Sequence, residues 1–236
     1  MKPPGPLLAS GRDADIFEYG PGLVLRRSRA GRSLALEART MAYLRDRGYP
    51  VPAVEQLSAD ETGLVMERVD GPTMVDAISR APWTIRHHGR TLAGLHRRLH
   101  DLGPPPFLMP APVGHGDRFL HMDLHPLNVL IGPEGPVVID WTNARAGDPF
   151  VDVGLAWALM AAGDVPAGRV TATLLGWGRA LLLNAFLAPF DRDEVTRRLR
   201  QVVTWKARDA NMSADEIARM WALVERAETR TARRAG

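Results

Sequence analysis

The chain contains no cysteine. That absence excludes a disulfide scaffold, thiolate zinc sites and a cysteine nucleophile. Lysine is nearly absent too: Lys2 and Lys206 are the only two among 30 basic residues, so the positive charge is carried by arginine. An excess of one charge sign is also missing. Residues 1–150 hold 17 basic and 17 acidic side chains, and residues 151–236 hold 13 and 10. With a net charge of +3 and no polybasic tail, a nucleic-acid partner is not expected. The opening MKPPGPLLASGRDAD lacks the apolar run of a signal peptide, which leads us to expect a cytoplasmic protein. The most apolar stretch, Val170 to Phe190, is interrupted by Arg179, Gly176, Gly178 and Pro189. It reads as a helix buried in protein rather than a membrane span. The sequence carries no signal for oligomeric state.

What is present suits an ordinary globular protein: 236 residues, 45% apolar and 24% charged, enough for one large domain or two small lobes. Asp15–Tyr19 and Leu23–Arg27 alternate like strands around the turn Gly20-Pro21-Gly22. Ser33 opens a helical run closed by Gly48 and Pro50, and Leu64–Arg68 is a further strand, broken off by Asp70-Gly71-Pro72. From there helical periodicity dominates, over Trp83–Leu102, Phe150–Ala162, Val170–Phe190, Arg192–Asp209 and Ala214–Ala232. One exception is embedded: Val129–Ile131 and Val137–Ile139, joined by Gly132-Pro133-Glu134-Gly135, read as a β-hairpin. The expected class is α+β, with a small antiparallel β lobe over residues 1–68 and a larger, mainly helical lobe over residues 69–236.

Polar residues flank that hairpin. His121-Met122-Asp123-Leu124-His125-Pro126-Leu127-Asn128 precedes it and Asp140-Trp141 follows. The ends of a hairpin meet, so Asn128 and Asp140 become neighbours across twelve positions. Asp and Asn are also favoured simply as turn residues at strand ends. HMDLHPLNVL with VVIDWTNARAGDPFVDV resembles the catalytic loop and metal-binding aspartate of the aminoglycoside phosphotransferase family. That family is itself similar to choline kinases and, more distantly, to protein kinases. The resemblance covers nearly the whole chain and implies a two-lobed, protein-kinase-like fold that moves the γ-phosphate of ATP with Mg2+. Such transfer needs a carboxylate to take the hydroxyl proton and oxygen ligands for the metal. The resemblance assigns Asp123 as the base and Asn128 and Asp140 as metal ligands. Met122 stands where this family usually shows glycine.

The same resemblance organises the rest. It aligns Val24-Leu25-Arg26 with a strand that normally ends in lysine, which makes Arg26 the phosphate-positioning cation; choosing Arg27 would drive Arg26 into the core. Glu37 shares a helical stripe with Leu34, Met41 and Leu44 and is either Arg26's partner or a residue at the stripe's edge in water. The backbone of Glu67 and Val69 is placed at the adenine edge. Asp148 and Asp152 match positions that brace the catalytic loop, or serve as ordinary helix N-terminal acids. His115-Gly116-Asp117 imitates the loop, but Met122 stands five residues after Asp117 and no hairpin follows directly. His96 and His100, four apart, invite a zinc reading, yet no third ligand with zinc-like spacing accompanies them. We read them as helix histidines packed under the catalytic loop, with His121 orienting that loop.

The expectation is a kinase that phosphorylates a hydroxyl of a small molecule. The net basic charge of residues 151–236 speaks against a polycationic acceptor, and an amino alcohol, a sugar or a nucleoside-like compound stays open. The alternative is a catalytically silent kinase-like protein that binds nucleotide or a partner, favoured by the missing lysine and by Met122. A protein kinase is disfavoured, because Asp140-Trp141-Thr142 reaches Asp148-Pro149 with little room for an activation segment.

Overall fold

The computed structural model describes residues 2–11, 13–163 and 169–235, with side chains described outside residues 169–176 and 234–235. The chain divides into two compact units: Met1–Thr73 with Leu127–Ala144, and Met74–Pro126 with Arg145–Gly236.

The first unit is built on a five-stranded antiparallel sheet in the order β1-β2-β3-β5-β4, formed by β1 (Leu7–Ser10), β2 (Ala14–Gly20), β3 (Leu23–Ser28), β4 (Val54–Leu57) and β5 (Gly63–Glu67). The turn from β2 to β3 uses positive φ at Gly20 and Gly22, which side chains resist. Leu25 packs with Tyr19 and Val65 on one sheet face, while Arg27 on the same face lies beyond that cluster, exposed. Helix α1 (Ala35–Arg45) buries Glu37, Ala38, Thr40, Met41 and Leu44. Glu37 therefore sits within the buried stripe and not at its edge in water.

The expected hairpin forms, as β7 (Val129–Gly132) and β8 (Gly135–Val138), paired from Val129↔Val138 to Gly132↔Gly135. It belongs to the first unit, whereas the sequence pattern predicts it within a lobe of residues 69–236. Backbone bonding explains the difference: Ile131 N donates to Pro72 O at 2.9 Å and Val138 N to Pro50 O at 2.8 Å. Gly71 permits the approach, since a Cβ there would stand 2.1 Å from Ile131 O. Trp141, fully buried, donates from Nε1 to Val138 O at 3.1 Å and meets Tyr49 edge-on at 5.6 Å between ring centroids.

The second unit comprises α2 (Met74–Arg80), α3 (Ile85–His100), the short ribbon of β6 (Arg118–Leu120) with β9 (Arg145–Gly147), and α4 (Pro149–Ala162), α5 (Arg169–Leu187), α6 (Arg192–Lys206) and α7 (Ala214–Ala235). Helix α4 is its centre. Val151 through Ala158 are all buried, and α6 and α7 pack on it. Leu120, Met122, Val151, Leu155 and Val202 form a core beneath the ribbon. Asp148 caps α4 by accepting from Phe150 N at 2.9 Å, and Asp191 caps α6 by accepting from Asp193 N and Glu194 N. Helix α3 packs along α5 so closely that a Cβ on Gly89 would meet Leu182 O at 2.7 Å.

Within the apolar stretch of Val170 to Phe190, Phe186 and Leu187 are buried and Trp177 is 73% exposed; the side chains of residues 170–176 lie outside the described residues. No helix among the described residues is long and apolar enough to cross a membrane.

Candidate active site

In the first unit, Arg26 organises a buried polar cluster. It comes from β3, Glu37 from the first turn of α1, and Asp140 and Thr142 from the segment after β8. Arg26 Nε donates to Glu37 Oε2 at 3.0 Å, and Nη2 donates to Asp140 Oδ1 at 2.9 Å and Thr142 Oγ1 at 3.2 Å. Thr142 Oγ1 donates in turn to Asp140 Oδ1 at 2.8 Å. Burial works against the Arg26 charge, but Glu37 and Asp140 outweigh it and hold the guanidinium above its ordinary pKa. Burial pushes the Glu37 carboxyl up; the Arg26 charge pulls it back without cancelling the rise. Glu37 also accepts the N–H of Trp141 at 3.4 Å, tying α1 to the segment that bears Asp140.

A guanidinium offers five N–H donors. Nε and both hydrogens of Nη2 are taken by these partners, which leaves Nη1 without a hydrogen bond among the described residues. A grip on phosphate through the Nε edge is therefore closed, and only Nη1 is available.

Asp140 stands at a φ of 65°, in the left-handed region that few non-glycine residues occupy. Its side chain is 33% exposed, and Oδ2 makes no hydrogen bond among the described residues. Asn128 lies at the other end of the hairpin, and its carbonyl accepts from Ile139 N at 3.0 Å, one position before Asp140. The hairpin thus brings these two backbone positions side by side.

Glu67 and Val69 are placed less distinctively. The Glu67 side chain accepts from Ala53 N at 2.9 Å and pairs with Arg45, while its own N–H donates to Ala53 O. Val69, two residues beyond β5, makes no backbone hydrogen bond among the described residues.

In the second unit the loop bearing Asp123 is suspended from Asp152. The Asp152 carboxylate is buried and accepts from Met122 N at 2.7 Å, from His121 N at 3.2 Å and, on Oδ2, meets His100 Nε2 at 3.1 Å. Burial alone would raise this carboxyl, yet the close approach of His100 and His96 holds it well below the carboxylate range. Met122 takes a φ of 62°, the conformation for which glycine is the usual choice, and buries its side chain in the core. Asp123 itself is partly exposed at 22%, with His125 Nε2 3.7 Å from its Oδ1. Asp148 is an N-cap and also pairs with Arg198 at 2.7 Å. The imitation loop His115-Gly116-Asp117 plays another part: Asp117 is 93% exposed beside Arg118, and Gly116 packs on the backbone of Gly147.

Sequence reasoning missed Thr142, His125 and the contact of His100 with Asp152. An Asp140-x-Thr142 step resembles many turns, and a helix histidine meeting a carboxylate 52 residues away leaves no spacing to read.

No curated protein sequence matches the chain. Solved structures do. A choline/ethanolamine kinase family protein from Mesorhizobium loti is 19% identical, with a TM-score of 0.57, covering 95% of this chain and 81% of that one. The gentamicin complex of the aminoglycoside phosphotransferase APH(2")-IIa is 13% identical with a TM-score of 0.63, covering 91% and 90%. Amicoumacin kinase hAmiN in complex with AMP-PNP, Ca2+ and Ami is 15% identical with a TM-score of 0.53, covering 96% and 88%. At these identities the likeness establishes the kinase-like α+β fold. The model of the phosphotransferase enzyme family (APH) matches residues 6–115 and 108–183, so the chain belongs to that family.

Proposed function

We propose that this phosphotransferase moves the γ-phosphate of ATP to a hydroxyl of a small molecule. The observation that carries the reading is the cluster of Arg26, Glu37 and Asp140, which fixes a cation and a partly exposed carboxylate beside each other in the first unit. Similar structures that hold AMP-PNP support ATP as the donor.

The residues suit magnesium. Asp140 Oδ2 is an unclaimed carboxylate oxygen and Asn128 offers an amide oxygen, both hard donors of the kind Mg2+ takes. Bound there, the ion would neutralise charge on the transferring phosphates. Arg26 holds Asp140 Oδ1 and so fixes the direction of the other oxygen, while its Nη1 is left to meet a phosphate oxygen. Glu37 keeps the guanidinium charged and in place. Val69 supplies free backbone groups for the adenine edge. Asp123 accepts the acceptor's hydroxyl proton at its carboxylate, and Asp152 fixes the loop backbone on which Asp123 is mounted. The acceptor is a polar alcohol without strong cationic charge, in keeping with the net basic balance of residues 151–236.

The engagement of Arg26 by Asp140 itself also favours the silent reading, in which the pair is a structural lock. Asp123→Asn separates the two. A base makes phosphoryl transfer fall by ~10²–10⁴ on its removal while ATP affinity holds. In a silent protein the substitution changes nothing measurable.

A further inference from the structure

His96 and His100 face one side of α3, and the fold supplies what the sequence spacing did not: a third ligand, Asp152 from α4. All three are buried, at 0%, 8% and 1% exposure. Hydrogen bonding sets the His96 tautomer. Its Nε2 lies 3.2 Å from Leu124 O, an acceptor only, so Nε2 carries the proton. Its Nδ1 has no hydrogen-bond partner among the described residues and faces Asp152 Oδ2 at 3.5 Å. In the neutral ring two lone pairs then confront each other in a buried place, around a carboxylate that no arginine or lysine among the described residues contacts. Something positive belongs between them.

From this geometry we infer that His96 Nδ1, His100 Nε2 and Asp152 Oδ2 form a binding site for a transition-metal ion of the zinc class. A proton on Nδ1 would draw the pair into a charge-assisted hydrogen bond of ~2.7–2.9 Å, which 3.5 Å is not. The separations of Oδ2 from the two ring nitrogens, 3.1 Å and 3.5 Å, instead bracket the edge of a tetrahedron with ligand bonds of about 2.0–2.1 Å, roughly 3.3–3.4 Å. The three ligand atoms all lie within 4.8 Å of one another. Two imidazoles and one carboxylate suit zinc and not magnesium, which prefers oxygen alone. Supporting hydrogen bonds are already in place: His96 Nε2 donates to Leu124 O, and Asp152 Oδ1 accepts from Met122 N. Such outer partners are the rule at metal-bound histidines. Of the three, His100 also lines a cavity of about 320 Å³, together with Arg97, Arg118, Phe150 and Phe190. The ion would fasten α3, α4 and the 121–124 segment together.

The site is tested on the full-length chain after chelator treatment, by titrating Co2+ and following its visible absorption, then displacing it with Zn2+. One Co2+ per chain, with the intense bands of a low-coordinate nitrogen-and-oxygen site, supports the inference. His100→Gln should weaken that binding by ~100-fold or more, beyond the 10–100-fold typical of losing an outer partner. Asp140→Ala should leave it unchanged, which separates this site from the one proposed for magnesium. Bands that survive His100→Gln, or that vanish with Asp140→Ala, overturn it. Should His100→Gln fail to fold, the wild type still decides: equimolar Zn2+ must raise its thermal midpoint. No shift, with His96 titrating as an imidazolium by NMR, assigns the positive charge to a proton and refutes the metal site.

Discussion

Replacing Met122 separates backbone strain from packing in the loop that carries Asp123. The residue holds a φ of 62° and is 1% exposed, packed with Leu120, Val151, Leu155 and Val202. Left-handed backbone costs a non-glycine residue about 1–2 kcal/mol. Emptying a buried methionine site costs about 2–5 kcal/mol. Met122→Ala keeps the strain and loses the packing, so it should be destabilised by about 2–5 kcal/mol. Met122→Gly also loses the packing but sheds the strain, against an entropic cost of about 0.5–1 kcal/mol. Glycine should then equal or exceed alanine here by up to ~1.5 kcal/mol, reversing their usual order. Both should fall below the wild type. Urea unfolding followed in parallel by tryptophan fluorescence and far-ultraviolet circular dichroism measures this, provided the two transitions coincide. Alanine more stable than glycine would show that position 122 is unstrained. Glycine more stable than the wild type would show that the buried side chain contributes little.

Other substitutions probe the chemistry. Asp140→Ala should abolish the magnesium dependence of ATP binding in titration calorimetry; an unchanged difference with and without magnesium removes Asp140 from the metal. Arg26→Ala should lower kcat/KM for ATP strongly and also destabilise the fold by ~3–5 kcal/mol, because Glu37 is left buried and unpaired. Arg27→Ala, on the exposed position, should do neither, and equal losses at both would refute the strand-face assignment. Arg26→Lys should fall between, since one ammonium cannot satisfy Glu37, Asp140 and Thr142 together and still reach phosphate. Asp152 is held below its unfolded pKa of about 3.9, so the stability it lends is full above that value and lost as pH falls through the folded one. Asp152→Asn should flatten the acid limb of a stability-versus-pH curve, and an unchanged limb would show that the carboxyl is not linked to folding.

Periodicity made much of this molecule legible. The alternation at Leu23–Arg27 separated Arg26 from Arg27, and the stripe through Glu37, Met41 and Leu44 put a carboxylate in the core. The hairpin between Asn128 and Asp140 was readable from its turn and apolar runs. What escaped rests on short strands and long-range contacts. Strands β1 and β4, of four residues each, are half exposed or more and show no alternation, and β6 and β9, of three each, are too short to carry one. The allegiance of the hairpin to the first unit depends on single backbone bonds to Pro50 and Pro72, which no local pattern encodes. Asp152 met His96 and His100 only because α4 packs beneath the 121–122 backbone, so a third ligand was invisible from spacing.

The most direct measurement is magnesium-dependent transfer of labelled γ-phosphate from ATP to a panel of amino alcohols, sugars, nucleosides and aminoglycosides, run beside Asp123→Asn. A small-molecule kinase yields a phosphorylated alcohol from at least one panel member, needs magnesium, and loses ~10²–10⁴ of its rate in the variant while ATP affinity holds. Tight ATP binding with no product from any acceptor, or equal turnover by Asp123→Asn, contradicts the assignment.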